Sequence, residues 1–362
     1  PTEGGVTLLA EKRTMQALLK RDLTPGILIE EVPIPQPDDD QVLLKVRAAG
    51  ICGSDVHMYE GDASYKVFEN SMPVILGHEF SAEVVQVGGN VQGIAPGQRV
   101  VVRPRAPCGQ CHYCKTNRRH MCTGGSLAHG LRIDGGFAEY VVTWPETCIP
   151  LPDNISDTLG ALIEPFGIAA NAVHDGGLNM GESLVIQGPG PIGLLALIVA
   201  KARGVGNCIV IGTSRDTLRL ERAKAFGANH VVIADQVDAV QAVRDLTDGR
   251  GADMVIEASG VPALLQTALD MCDKMGRVVV AGIYAGPAQV DFTAMVRGGK
   301  SLIGTYGGLV AWERILAWLS ANPYYAQLSE DVITHRSHLA DADAAFKRSV
   351  NKENIKEVFI FN

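Results

Sequence analysis

Four cysteines of this 362-residue chain fall within fifteen positions: Cys108, Cys111, Cys114 and Cys122. Four thiolates at about 2.3 Å satisfy a tetrahedral zinc and leave no open position, so a site made from them is structural in role. An iron–sulfur cluster is the rival, because Cys-x2-Cys-x2-Cys also occurs there; a fourth sulfur after seven intervening residues fits zinc better. Unliganded burial of all four is the bland alternative, disfavoured by the reactivity of clustered thiols. Eight cysteines in the whole chain are too few and too clustered for a disulfide scaffold, which leaves metal binding in a reducing compartment.

Three other stretches each offer metal ligands. Gly50 to His57 reads GICGSDVH, with a thiol at Cys52 and an imidazole at His57 around the hydroxyl of Ser54. His78 and Glu79 follow Gly77, and Glu164 opens the run EPFG. Taken singly, Cys52 reads as a small core residue, Glu164 as a helix N-terminal charge, and His57 as a hydrogen-bonding residue at a site's edge. Taken together they suggest a second zinc held by Cys52, His78 and a carboxylate, with one position free. An open zinc lowers the pKa of a bound hydroxyl. An alcohol there ionises near neutral pH, and its hydride can then pass to C4 of an oxidised nicotinamide; in reverse the ion polarises a carbonyl.

The nicotinamide has its own signature. Ser183 to Gly193 reads SLVIQGPGPIG, a strand followed by Gly188-x-Gly190-x-x-Gly193. Such glycines serve the tight turn, the approach of a pyrophosphate and helix–strand packing, while the helix N-terminus offers free N–H groups to the phosphates. Pro191 suits the first helical turn, where a missing N–H costs nothing; Ile192 completes the loop. Gly212 stands where an acidic ribose partner is expected, followed by Thr213, Ser214 and Arg215, with Arg219 one turn on. Loss of that carboxylate removes repulsion of a 2′-phosphate, and an arginine can pair with one. This leans toward NADP; the alternative leaves Arg215 solvated and has Asp216 supply a shifted ribose contact. Ser259, Gly282 and Ile283 complete the candidate cofactor contacts.

These groups need two kinds of scaffold. Up to about residue 155, short apolar runs (QVLLKVRAAG, FSAEVVQVG, QRVVVRP, GFAEYVVTW) are punctuated by Gly, Pro, Asn and Asp, the pattern of a twisted β body. From about residue 180, strand-like runs at Ser183–Gln187, Cys208–Ile211, His230–Ala234, Asp253–Ala258, Arg277–Ala281 and Ser301–Thr305 alternate with helical stretches such as Asp216–Phe226 and Ala263–Cys272. That alternation predicts a parallel, doubly wound sheet. Beyond Tyr306 the chain reads as helical and then strand-like (VFIF), and is expected to return to the first domain. Forty glycines, above the usual ~7% share, imply many tight turns or close backbone approaches.

The combined motifs resemble the zinc-dependent medium-chain dehydrogenases, most closely their sorbitol (polyol) dehydrogenase branch, with threonine dehydrogenase nearby. ICGSDVHMYEG (51–61), GHEFSAEVVQVG (77–88), the four-cysteine lobe, IEPFG (163–167), GPGPIG (188–193) and EASGVP (257–262) carry the resemblance from Met15 to the end. It implies an α/β protein with a twisted GroES-like β catalytic domain and a doubly wound Rossmann domain. The expected boundaries are 1–164 for the catalytic domain with both zinc sites (1–14 an extension), 165–300 for the Rossmann domain and 301–362 for the return. By the same resemblance Cys52, His78 and Glu164 hold the catalytic zinc, and Glu79 exchanges with water or substrate. Ser54 bonds the zinc-bound oxygen, and His57 delivers its proton toward solvent. A glutamate as third ligand suits the polyol branch. Ala82 stands where the family usually has glycine, and Gln98 where aspartate is common; neither touches the ligands. Asn171 replaces a histidine frequent in the polyol branch and, with Tyr59 and Tyr306, is expected to shape the substrate pocket.

The expected function is therefore zinc-dependent hydride transfer between NAD or NADP and a secondary alcohol in a polyol, sugar, cyclitol or amino alcohol. Per chain it needs one catalytic and one structural zinc. A non-catalytic zinc- and dinucleotide-binding protein on the same fold is the alternative; it has no need of Cys52, His78 and Glu164 together. A nucleic-acid-binding zinc module is disfavoured by 32 basic against 40 acidic residues, a net charge of −8, and by only Lys115, Arg118 and Arg119 near the cysteines. No apolar run approaches the ~18 residues of a membrane span. Pro1 to Leu9 lacks the basic start and apolar stretch of a secretory signal, so a cytoplasmic location is expected. The sixth strand, an edge unless paired, points to a homo-oligomer, with a tetramer favoured by the resemblance.

Overall fold

Val42–Gly50 is the strand around which the first unit of the chain is built. Its sequence, VLLKVRAAG, is buried almost throughout, as expected of a strand covered on both faces. In this computed structural model, which describes residues 13–124, 127–307 and 311–362, the strand pairs antiparallel with Glu79–Val87, with Tyr140–Thr143 and with Lys356–Ile360. Cys148–Pro150, Arg99–Val102 and Ile333–Ser337 complete a seven-stranded sheet, while Thr14–Lys20, Leu28–Pro33 and Val74–Ile75 form a second, three-stranded one. Most of the expected extension, residues 1–12, lies outside the described residues, and Thr14 already opens the first strand. Leu18, Leu44, Phe137, Phe346 and Phe359 are fully buried in the unit's core. Phe137 meets Phe346 and Phe359 edge-on, at 6.3 and 5.1 Å between ring centroids, the arrangement that aromatic quadrupoles favour.

Pairing register brings distant residues together. Gly50 lies opposite Glu79 on one side and Val358 on the other. The chain turns at the end of this strand into the short helix Gly53–Glu60, with Cys52 as its N-cap. The four-cysteine lobe projects from paired strands Arg105–Ala106 and Leu127–Ala128. Glu164 ends this first unit, which also takes in Trp312–Ala326 and Ile333–Asn362.

The second unit comprises Pro165–Ala311 and Gln327–Val332. Its six strands are all parallel: Ser183–Gln187, Asn207–Gly212, His230–Ile233, Ala252–Glu257, Cys272–Val280 and Ser301–Gly304. Numbered in that order they lie 3-2-1-4-5-6 across the sheet, the order of a dinucleotide-binding fold with its strand-order reversal beside the first strand. Helix Pro191–Ala202 follows the first strand and is apolar nearly all round; Leu194, Leu195, Leu197 and Ile198 are fully buried, each contributing roughly 1.5–3 kcal/mol. The fifth strand starts at Cys272, earlier than Arg277 as read from the sequence. Its pairing shifts register between Ala252 and Met254, and Met275 takes a positive φ of 61°; this irregularity breaks the two-residue period that marks a strand.

Candidate metal and dinucleotide sites

Cys52, His78 and Glu79 bring a sulfur, a ring nitrogen and a carboxylate oxygen within 4.8 Å of one another. His78 and Glu79 are buried. Glu79 opens the strand that pairs with Val42–Gly50 and His78 stands just before it, while Cys52 follows Gly50 by two residues; the register that sets Gly50 opposite Glu79 makes them neighbours. Asp55, fully buried, accepts a 2.9 Å hydrogen bond from the Cys52 backbone N–H through Oδ2. Its Oδ1 lies 3.8 Å from His78 Nδ1. At that distance the two atoms are not hydrogen-bonded, and among the described residues neither has another hydrogen-bond partner, so the carboxylate acts on the ring through its charge. Ser54 Oγ lies 3.4 Å from His78 Nε2.

The electrostatics call for a cation. Burial disfavours protonation of His78, yet Cys52 and Asp55 outweigh it and raise the imidazole well above its ordinary range. Desolvation raises Asp55, with His78 opposing. Glu164, in the first turn of helix Ile163–Asp175, is pushed up to about 7, chiefly by burial, with the nearby charge of Glu79 adding and that of His78 opposing. Its carboxylate is not part of the 4.8 Å group. Among the described residues, Glu79 Oε1 is buried with no hydrogen-bond partner. Soft thiolate, imidazole and hard carboxylate form a zinc donor set, and an orphaned carboxylate oxygen within it fits a metal.

Lys356 and Asp55 are the functional residues that sequence reasoning missed. Lys356 is 2% exposed. It pairs with Glu79 Oε2 and donates a 2.7 Å hydrogen bond to the carbonyl of Ile51, the residue before Cys52. Gly50 makes room for the pair: a Cβ there would stand 2.5 Å from Glu79 Oε2 and 3.0 Å from Lys356 Cε. His57 Nδ1 lies 2.8 Å from Asp62 Oδ2, and its ring stacks on Tyr65 at 5.5 Å. Of the expected pocket residues, Tyr59 donates to Asp343 at 2.8 Å, and Tyr306 is half exposed. Asn171 is buried with its amide committed to Asp175 and Thr305, at 2.8 and 2.7 Å.

Cys108, Cys111, Cys114 and Cys122 form the second cluster within 4.8 Å. Backbone N–H groups point at its sulfurs: Cys108 N to Cys122 Sγ at 3.3 Å and Cys111 N to Cys108 Sγ at 3.4 Å. Such donors stabilise thiolate; the backbone N–H groups of Cys114 and Thr123 hold Cys111 down at about 5. Gly124 leaves space that a Cβ would fill, 2.2 Å from Cys108 Sγ. Three sulfurs served in this way, with the buried Cys114 as the fourth, fit a closed zinc site.

In the second unit, Gly188 adopts φ +106°, and a Cβ there would press on the Ser259 backbone nitrogen at 2.8 Å. At Gly193 a Cβ would stand 2.1 Å from the Gly188 carbonyl, whereas at Gly190, the helix N-cap, it would meet nothing within 4 Å. Two glycines thus serve packing, and one leaves open space in front of the helix N-terminus formed by Pro191, Ile192 and Gly193, the cradle a pyrophosphate needs. Ser259 donates from N and Oγ to the buried Glu257 Oε1. Gly282 N bonds the Glu257 carbonyl at 3.0 Å, and Tyr284 donates to Glu257 Oε2 at 2.8 Å. Glu257 therefore braces the loops after the fourth and fifth strands; Ile283 on the latter is exposed. At the second strand's end Asp216 is turned inward: Oδ2 accepts from Thr213 N and Oγ1 at 3.0 and 2.7 Å, and Oδ1 lies 3.6 Å from Arg219. Ser214 is bonded to Asp235, and Arg215 is exposed.

A dinucleotide sheet and a β unit with two zinc-donor clusters define a zinc-binding, NAD(P)-linked dehydrogenase. Residues 38–153 match the sequence family described as alcohol dehydrogenase GroES-like domain, and residues 191–321 that described as zinc-binding dehydrogenase. The chain is 36% identical to a sorbitol dehydrogenase of Halalkalibacterium halodurans, over 94% of this chain and 98% of that one. It is also 36% identical to an L-threonine 3-dehydrogenase of Bacillus licheniformis, over 92% and 95%. A crystal structure described as a zinc-binding dehydrogenase from Sinorhizobium meliloti 1021, bound to NADP, superposes with a TM-score of 0.87 at 28% identity, covering 97% of this chain and 100% of that one. The chain belongs to the zinc-dependent medium-chain dehydrogenases, as its motifs led one to expect.

Proposed function

We propose that the enzyme oxidises a secondary alcohol in a polyol, sugar, cyclitol or amino alcohol, or reduces the matching ketone, with hydride exchanged at the nicotinamide. The observation that carries this reading is the thiol–imidazole–carboxylate group of Cys52 and the buried His78 and Glu79 in a chain that also holds the glycine cradle. The sorbitol and threonine dehydrogenases named above support the substrate class. Cys52, His78 and Glu164 would hold the catalytic zinc with Glu79 as the exchanging carboxylate, and the four clustered cysteines would hold the structural one. When bound, the catalytic zinc supplies a Lewis acid that lowers the pKa of a hydroxyl and polarises a carbonyl.

The protein's own groups handle the proton. Ser54 Oγ, 3.4 Å from His78 Nε2, is the hydroxyl placed to accept a bond from the substrate's O–H. His57, with Nδ1 held by Asp62 at 2.8 Å and its ring partly exposed, can take a proton and release it to solvent. Asp55 fixes the Cys52 backbone and stands behind His78 throughout.

For the cofactor, the reading favours NADP. Gly212 cannot carry an acidic side chain, since even a Cβ would stand 2.9 Å from Pro189 Cγ. Asp216 is spent on Thr213, which leaves Arg215 to pair with a 2′-phosphate. A homo-oligomer, a tetramer by family resemblance, is supported by the sixth strand: among the described residues Ser301–Gly304 pairs only with the fifth, and Phe292 and Val296 nearby in sequence are 64% and 76% exposed. Eight free thiols favour the cytoplasm. Among the described residues no helix is long and apolar enough to cross a membrane. The test is metal-free protein refilled with zinc and offered polyols, aldonates, aminocyclitols and 2-amino-3-hydroxy acids with NAD and NADP. Zinc-dependent nicotinamide reduction with one of them is expected; dinucleotide binding without zinc-dependent turnover on any would reject the reading.

A further inference from the structure

Tyr65 lies beyond the motif at 51–61 that carries Ser54 and His57, yet it touches both. It is 8% exposed. Its ring lies nearly parallel to that of His57, with 5.5 Å between centroids and 16° between planes, and meets Phe68 at 5.8 Å. The turn that carries it is tied to the same histidine. Tyr65 N–H donates to the Asp62 carbonyl at 3.0 Å, while the Asp62 carboxylate accepts from Ser64 N–H at 2.9 Å and meets His57 Nδ1 at 2.8 Å. The phenol is hydrogen-bonded to the Ser54 side chain. A serine hydroxyl has one hydrogen to give and two lone pairs to receive with. In the zinc reading His78 Nε2, 3.4 Å from Ser54 Oγ, gives its lone pair to the metal and has none left for a donor. Among the described residues Tyr65 is then the remaining side-chain partner of Ser54, so the serine hydrogen goes to the phenol oxygen.

We propose that Tyr65 is a positioning residue for the proton step: by accepting the Ser54 hydrogen it turns a Ser54 lone pair toward the O–H of a bound alcohol. The proposal rests on the zinc reading of the cluster and on Ser54 as the hydroxyl that faces the substrate. Tyr65 neither gains nor loses a proton over the step. Burial, with the charges of Cys52 and Asp55 adding, raises its phenol above the ordinary range, and it begins and ends neutral. Without a hydroxyl at position 65 the Ser54 hydrogen turns onto the alcohol oxygen, donor meets donor, and the alcohol's proton loses its acceptor. The ring contributes separately, by holding the face of His57; phenylalanine keeps that contact and removes the hydroxyl alone.

The test mixes trifluoroethanol, an alcohol too electron-poor to give up hydride readily, with protein loaded with zinc and oxidised dinucleotide. Proton release is followed with an indicator dye, so the proton step is read without turnover. In Tyr65→Phe the release is expected to slow roughly three- to tenfold, the worth of one hydrogen bond, with dinucleotide affinity unchanged. In a Ser54→Ala background Tyr65→Phe is expected to add nothing, and in a Ser54→Thr background, which restores a hydroxyl, the slowing is expected to return. Release at the wild-type rate in Tyr65→Phe would overturn the proposal. So would the same slowing in the Ser54→Ala background, which would show that the phenol acts by some route other than Ser54. If wild-type protein with zinc and dinucleotide releases no proton to any alcohol, the zinc reading itself fails and the proposal falls with it; this outcome differs from proton release that ignores residue 65.

Discussion

The two metal-ligand clusters of the first unit are built on opposite plans. In the lobe, four sulfurs come from fifteen consecutive positions, and backbone N–H groups of the same loop serve them. In the other cluster, Cys52 and His78 meet because two strands pair in one register, and the cation that balances them comes from the last strand. The lobe has four like ligands and no use for a counter-charge. The second cluster mixes sulfur, nitrogen and oxygen and is surrounded by Asp55, Glu164 and Lys356. A closed structural site can be specified locally, whereas a site that must keep a position open needs charges from across the fold to hold its ligands in check.

The contrast can be broken by cutting each cluster in turn. Cys52→Ser should lower kcat by on the order of a thousandfold or more, given the several kcal/mol a catalytic metal supplies, with dinucleotide affinity unchanged in a fluorescence titration; retained turnover would mean the ligand is misassigned. Cys111→Ser should do the reverse. Its Tm should fall by about 5–10 °C, as expected for loss of a few kcal/mol in a chain of this size, while steady-state kcat stays within about twofold of wild type, far below the tenfold that 1.36 kcal/mol of barrier would give.

His129 sharpens the comparison at the lobe's base, where its N–H bonds the Pro104 carbonyl at 2.8 Å. Its ring bonds the Asp134 carbonyl at 2.7 Å and Thr143 Oγ1 at 2.9 Å. Burial drives its pKa down to about 4, with the Asp134 carbonyl opposing. The folded protein thus refuses a proton that the unfolded chain accepts at about 6.5. Its contribution to stability is complete above pH ~6.5 and is lost as pH falls toward 4, up to about 3 kcal/mol. Urea midpoints compared at neutral and acidic pH should drop more steeply in wild type than in His129→Gln; equal slopes would show that the ring is not the titrating group. The smallest effect leaves both clusters alone. Arg215→Ala should raise KM for NADP roughly tenfold, the loss of one charge-assisted bond, with KM for NAD nearly unchanged; equal losses would reject the 2′-phosphate reading.

The same contrast explains what was legible in the sequence. The glycine loop, the strand–helix alternation and the four-cysteine spacing are local patterns, and each could be read from a short window. Lys356 could not: no pattern in KEVFI tells a buried ammonium from a solvated one, and its partners lie 277 and 305 residues away. Asp55 was visible inside GSDVH, but its role behind His78 depends on the helix starting at Cys52. Asn171 reads as a pocket residue by comparison with a histidine; that its amide is engaged by Asp175 and Thr305 depends on contacts no short window shows. The early start of the fifth strand was hidden by the positive φ of Met275.

Gly50 carries a consequence for how this protein can change over time. A single added methyl at that position would intrude on Glu79 and Lys356 together while leaving every sulfur and imidazole intact. Drift there would displace the ends of a buried charge pair while all the diagnostic motifs stay preserved, so a survey of genomes by those motifs would not see it.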